Sequence, residues 1–219
     1  MGKPVSHYRS DYTLAVTSEP YVALGDSTGL GVGARTGGGY PERLLRRLRP
    51  AHPRLQLLNL CRSGATTADL IDEQLPRALR ARPRIITIGI GINDVGLQIP
   101  DDAFAFNLEE IVVPLRKLGA PMAIANIPDL ALAPATARLV PRTMYGKRIE
   151  MFNEHVTATA ARHRLALVDL HALSRELALG WPEMFCPAGF HPSESGYEQW
   201  AERMYPAVEA LLREEASVR

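Results

Sequence analysis

Five short apolar runs constrain this chain more than any other feature: "YVALGD" (21–26), "LQLLNL" (55–60), "RIITIGI" (84–90), "PMAIAN" (121–126) and "LALVDL" (165–170). Each is continuously apolar rather than alternating, the pattern of strands buried on both faces of a parallel sheet. Parallel neighbours cannot be joined by a tight hairpin and need a crossover, usually a helix. The segments between the runs supply it. "YPERLLRRL" puts Tyr40, Leu44, Leu45 and Leu48 on one face, and "FAFNLEEIVVPLRKLG" does the same with Phe104, Leu108, Ile111, Leu115 and Leu118. Pro114 predicts a local kink there and Gly119 a C-cap. The last helix is the most regular, with Tyr197, Trp200, Ala201, Met204, Val208, Leu211 and Leu212 recurring from Ser195 to about Glu215. "SGYE" (195–198) reads as its capping box, with Ser193 a competing N-cap. The alternation specifies an α/β fold, a five-stranded parallel sheet with helices on both sides.

In such a sheet ligands bind beyond the carboxyl ends of the strands, so the polar residues that follow each run are the candidates. "GDSTG" follows the first run and sets Ser27 at a strand-to-helix turn. "NLCRSGATT" brings Gly64 after the second run, and "GIND" brings Asn93 and Asp94 after the third. "CPAGFHPSESGY" (186–197) holds His191 just before the last helix. A hydroxyl, a backbone N–H, a carboxamide and an imidazole at one sheet edge provide a nucleophile, a base and oxyanion donors for acyl transfer. The plainer reading of Ser27 is a helix cap. Asp26 and Asp94 read as structural acceptors that pin their turns. "GLGVGA" (29–34) lacks the G-x-G-x-x-G spacing and reads as a flexible loop rather than a dinucleotide cradle. "DLALAPATARLVP" (129–141) is more apolar than a solvated loop needs, and either lines an acyl pocket or packs on the sheet.

Taken in order, "GDS" (25–27), Gly64, "GIND" (91–94) and "FHPS" (190–193) resemble the four sequence blocks of the SGNH, or GDSL, hydrolases. The resemblance runs from about residue 20 to residue 210. A "GDS" tripeptide alone is common by chance; four blocks in order, each at the right strand or helix, are not. The resemblance implies a flavodoxin-like, three-layer αβα fold and ester hydrolysis through a seryl acyl-enzyme. Carried over position by position, it makes Ser27 the nucleophile and His191 the general base. It makes the backbone of Ser27, Gly64 and the Asn93 side chain the oxyanion hole.

One position departs from the pattern. The family carries aspartate three residues before this histidine, as D-x-x-H, and here that position is Ala188. Disabling the aspartate of a serine-protease triad costs roughly 10⁴-fold in turnover, because the imidazole loses its tautomer and orientation. Three accounts are open. A main-chain carbonyl of the 186–189 loop accepts the Nδ1 proton of a Ser–His dyad; a carboxylate from elsewhere substitutes, Glu183 ahead of Asp169 and Glu194; or the chain is disabled. The expected activity is that of a serine esterase on small or medium acyl esters. The alternatives are an acyltransferase using the same site, and a catalytically impaired, ligand-binding member.

Length and composition narrow the rest. The 219 residues suit one domain with its own core. They divide into an N-terminal arm without an assignable role, 1–18, and a single catalytic domain, 19–216. A formal net charge of +1 gives no electrostatic pointer to nucleic acid or a membrane. "RLLRRLR" (43–49) reads as a solvated helix face. Cys61 and Cys186 are too few for a disulfide scaffold or a metal site. They flank the candidate edge, which leaves a disulfide or redox-sensitive contact open against a default of reduced thiols. His155 and His163 lie too far apart on one helix to share a metal and, with His171, read as surface or packing residues. Neither a signal peptide nor a run of ~20 apolar residues is seen. The expectation is a cytoplasmic monomer with no cofactor, no metal, no nucleic-acid partner and no membrane insertion, acting on a small-molecule ester.

Overall fold

The structure, a computed structural model, describes residues 18–136, 141–178 and 182–218. All but the last residue of the expected N-terminal arm therefore lies outside the described residues. Each of the five apolar runs is a strand: β1 (Glu19–Gly25), β2 (Leu55–Asn59), β3 (Ile85–Gly89), β4 (Met122–Ala125) and β5 (Ala166–Val168). All pairings are parallel and the order is β2-β1-β3-β4-β5, the flavodoxin-like arrangement. Continuous apolarity reports burial on both faces only in the centre. Tyr21 to Leu24 of β1 and Ile85, Ile86 and Ile88 of β3 are fully buried, whereas Leu167 of the edge strand β5 is 38% exposed.

The helices are α1 (Ser27–Leu30), α2 (Tyr40–Leu48), α3 (Thr67–Asp69), α4 (Leu75–Arg80), α5 (Ile92–Gly96), α6 (Asp101–Arg116), α7 (Arg142–His163), α8 (Leu170–Ala178) and α9 (Glu194–Val218). A π turn, Leu70–Gln74, joins α3 to α4. The crossovers place α4, α6 and α7 on one face and α2 on the other, where α9 packs against it. The crossover direction reverses between β1 and β3, so the residues that follow these two strands share one crevice. Ser27 follows β1 and Asn93 follows β3.

Several local expectations need correction. Helix α9 starts at Glu194, because the competing cap wins: Ser193 Oγ accepts from Gly196 N–H at 3.2 Å and the Ser193 carbonyl accepts from Tyr197 N–H at 3.0 Å. Helix α6 runs through Pro114 and is capped by Lys117, with Gly119 two residues beyond. The "RLLRRLR" segment is not simply a solvated face. Arg43 is buried on α2, and its guanidinium donates to Glu198 Oε1 at 2.6 Å, Thr36 O at 2.7 Å and Gly38 O at 3.1 Å. Burial is tolerable there because a planar fork of donors is matched to fixed acceptors. Arg46 joins it on Glu198 at 2.8 Å, so α2 grips α9. His155 and His163 tie α7 to α6 through Asp101 and Glu109, at 2.9 and 2.7 Å. Cys61 and Cys186 are both buried and both free thiols. Among the described residues, no helix is long and apolar enough to cross a membrane.

Candidate active site

The turn after β1 begins with Asp26, which is fully buried. Its Oδ1 accepts from Thr28 N–H at 2.9 Å and Thr28 Oγ1–H at 2.8 Å, so Asp26, rather than Ser27, caps α1. Burial raises the Asp26 pKa to about 6. Relieved of capping, the Ser27 hydroxyl lies 3.0 Å from His191 Nε2 across 164 residues of sequence. That is direct hydrogen-bond reach between candidate nucleophile and candidate base.

The histidine sits on a loop fixed through its main chain. Cys186 N–H donates to the His191 carbonyl at 2.9 Å, Ser193 N–H donates to the Met184 carbonyl at 2.8 Å, and Phe185 and Pro192 form a bridge. The Phe190 ring stands edge-on to the imidazole at 5.1 Å between centroids. Behind the loop lies the glycine-rich turn, held by Tyr197 Oη–H donating to the Val32 carbonyl at 2.7 Å. At Gly33, with φ +99°, a Cβ would come within 2.7 Å of Pro192 O and 2.9 Å of His191 Cβ. Glycine there answers a close approach between two backbones and not a need for flexibility, which corrects the loop reading of 29–34. Burial pushes the His191 pKa below the usual imidazole value, favouring the neutral form that can take a proton.

Among the described residues, no group accepts a hydrogen bond from His191 Nδ1. Two of the expected loop carbonyls already have donors: Cys186 O accepts from Gly189 N–H at 2.7 Å, which closes the turn, and Gly189 O accepts from Ala135 N–H at 2.9 Å. Glu183 is exposed and forms no hydrogen bond with His191; its backbone carbonyl accepts from the Ser193 hydroxyl. Asp169 accepts from Asn126 Nδ2 and Ala172 N–H, and Glu194 from Arg35 N–H. Each of these two acids has donors of its own. Ala188 is exposed in the turn.

Backbone hydrogen bonds link the segments that carry the candidate oxyanion donors. Arg62 N–H donates to Gly25 O at 3.1 Å, and Ala65 N–H closes back on Arg62 O at 3.1 Å, framing Gly64. Gly64 has φ +77°, and a Cβ there would meet nothing within 4 Å. Its requirement is therefore the left-handed backbone and the open space beside it, not crowding by protein atoms. Asn93 Nδ2 donates one hydrogen to Ala65 O at 2.8 Å, and among the described residues no acceptor takes the other. Asp94 is fully buried, accepts from Thr67 Oγ1–H at 2.6 Å and from Thr67 N–H, and burial raises its pKa. The structure thus joins Ser27 to His191 directly, and Asn93 to the Gly64 turn through Ala65. Hydrophobic periodicity overlooks two polar anchors of this edge, the Tyr197 hydroxyl and Gln74. The first is hidden inside an apolar helix stripe, the second inside a polar run.

A cleft of about 600 Å³, open mouth included, runs from Ser27 and His191 past Pro128, Leu130, Phe190 and Trp200. Asp129 and Leu130 bring the start of the 129–141 segment into its wall; 137–140 fall outside the described residues. Among the described residues, no cluster of His, Cys, Asp and Glu suits a metal ion.

Residues 23–199 match the model of the GDSL-like lipase/acylhydrolase family. The chain belongs to that family. It is a carboxylic ester hydrolase of the GDSL type. Esterase TesA of Pseudomonas aeruginosa is 26% identical over 202 residues, which cover 91% of this chain and 92% of that protein. The crystal structure of TesA matches with a TM-score of 0.73 at 25% identity, over 88% of this chain and 99% of that one. At 20% identity, the acetylxylan esterase Axe2 of Geobacillus stearothermophilus, in a catalytic mutant, shares the fold with a TM-score of 0.72 over 87% of this chain and 94% of its own.

Proposed function

We propose that this GDSL hydrolase cleaves small and medium acyl esters through an acyl-enzyme on Ser27, with His191 as an unassisted general base and water as the acyl acceptor. The carrying observation is the 3.0 Å contact between Ser27 Oγ and His191 Nε2. In acylation, Nε2 takes the hydroxyl proton as Oγ bonds to the ester carbonyl, and the imidazolium returns that proton to the departing alcohol. Water repeats the sequence on the acyl-enzyme and releases the acid. The oxyanion is received by the N–H groups of Ser27 and Gly64 and by the second amide hydrogen of Asn93, each such donor typically worth ~2.7–4 kcal/mol. The apolar wall of Pro128, Leu130, Phe190 and Trp200 suits an acyl chain better than a charged group.

A second reading, a catalytically impaired ligand-binding member, is favoured by one observation: no acceptor among the described residues meets Nδ1. One experiment separates the two. The protein and Ser27→Ala are treated with a fluorophosphonate, mapped by mass spectrometry and assayed on p-nitrophenyl acetate, butyrate and octanoate. Esterase action predicts label on Ser27 and turnover, both lost in Ser27→Ala. A folded wild-type protein with neither label nor turnover is the binding relic.

A further inference from the structure

The amide of Gln74, only 2% exposed, spends both of its ends on one residue. Its Oε1 accepts from Gly25 N–H at 2.9 Å and its Nε2 donates to Gly25 O at 2.8 Å. Gly25 lies two residues before Ser27. On its other side it pairs with Gly89 of β3, but the register with β2 ends at Ala23 opposite Asn59. Beyond the end of β2, Gln74 Oε1 therefore takes the place of a strand acceptor for the Gly25 N–H. Gly25 O also receives Arg62 N–H, and through the Arg62–Ala65 turn this contact continues to Gly64 and on to Asn93 Nδ2.

We propose that Gln74 is a positioning residue that holds the Ser27 turn in register with the Gly64 and Asn93 oxyanion donors. The inference rests on the reading of Ser27 as nucleophile. A carboxamide bonded at both ends to one residue has a single orientation and fixes that residue along the strand and across it. Oxyanion stabilisation depends on donors being set before the charge appears, and a misplacement of ~1 Å costs about 10²-fold. The backbone is built to deliver this side chain. Leu75 N–H reaches Leu70 O in the π turn, whose i→i+5 closure accommodates one residue more than a regular helical turn and ends at Gln74.

The test compares Gln74→Met, Gln74→Glu and Leu48→Ala, a buried control in α2 away from the site. The readouts are kcat and KM on p-nitrophenyl acetate, the rate of Ser27 phosphonylation by a fluorophosphonate, and Tm. We expect Gln74→Met to lose at least about tenfold in both kcat and phosphonylation with KM within about twofold, and Leu48→Ala to lose far less for the same fall in Tm. Gln74→Glu, whose protonated carboxyl can still accept from Gly25 N–H and donate to Gly25 O, should recover part of the rate. Expressed relative to wild type, that recovery should be greatest at acid pH and fade as the carboxyl ionises. Wild-type phosphonylation in Gln74→Met, or a loss no greater than that of Leu48→Ala at matched Tm, overturns the proposal. If Gln74→Met does not fold, a Gln74→Glu rate ratio that ignores pH overturns it instead. Wild-type protein left unlabelled at Ser27 sinks the nucleophile reading and this inference with it, so the wild-type label tells the two failures apart.

Discussion

Substituting Ala188 by aspartate sets a carboxylate three residues before His191. The turn that carries it should accept the change. Residue 188 is exposed, Pro187 precedes it, and Gly189 N–H closes the turn on Cys186 O at 2.7 Å without help from the side chain. A carboxylate within ~4–6 Å raises an imidazole pKa by about 1–3. At a solvated position the low end applies, about one pKa unit or ~1.4 kcal/mol. The imidazolium forms on the way to both transition states, so the same ~1.4 kcal/mol comes off each barrier and kcat rises about tenfold. Fixing the tautomer adds to this, with ~10⁴-fold as the ceiling known from serine-protease triads. Burial now holds the His191 pKa below its ordinary value, and the aspartate opposes that shift. Protonation of His191 removes the base, so the acid limb of kcat/KM must move to higher pH in Ala188→Asp, by about one pH unit. The assay is p-nitrophenyl acetate hydrolysis by both proteins from about pH 4.5 to about pH 9. A faster variant with an unmoved acid limb would mean the aspartate acts elsewhere than on Nδ1. An unchanged rate with an unchanged limb would refute the reasoning, because Nδ1 must then already have an acceptor in solution.

Three further perturbations follow from the geometry. Gly64→Ala forces φ +77° on a residue with a Cβ and costs roughly 1–2 kcal/mol of backbone strain; kcat/KM on p-nitrophenyl acetate should drop about 10²- to 10³-fold while circular dichroism stays native, as the loss of one oxyanion donor predicts. Asp26, with a folded pKa of about 6 against an ordinary 3.8, contributes stability that is present below about pH 4 and lost as pH rises through about 6. Asp26→Asn should therefore flatten the decline in stability between those values, by about 3 kcal/mol at most, as read from urea melts at each pH. Arg43→Met breaks the buried end of the α2–α9 contact and leaves Glu198 shared only by exposed arginines. We predict a loss of about 2–4 kcal/mol, seen as a fall of ~5–15 °C in Tm with KM unchanged.

How much of this was legible in the sequence depends on how far each side chain reaches. The buried stretches of β1, β3 and β4 are almost wholly apolar because both their faces are covered, a local cause with a local signature. The edge strand β5 was found by the same signature although Leu167 is partly exposed, so there the pattern reported membership of the sheet and not burial. The start of α9 was ambiguous because Ser193 and Ser195 satisfy the same short-range rule. What separates them is a contact ten residues away, between the Ser193 hydroxyl and the Glu183 carbonyl, that no capping rule contains. Arg43 looked solvated because its partner, Glu198, lies 155 residues along the chain.

The candidate site divides along the same line. Serine, histidine and asparagine declare their chemistry by type, and the sheet topology says which end of the strands they share. The support for His191 does not declare itself. Proximity in sequence nominates Glu183, Asp169 and Glu194, but a carboxylate goes to the nearest donors that need it, and for Asp169 and Glu194 those are backbone N–H groups. Gln74 shows the converse. Nothing in "LIDEQLPR" marks it, since its reach to Gly25 depends on one π turn displacing it from helical register and on β2 stopping two residues short of Gly25. A residue whose role is to replace missing backbone can be recognised only once it is known where the backbone is missing, and strand length is among the features that local sequence specifies least.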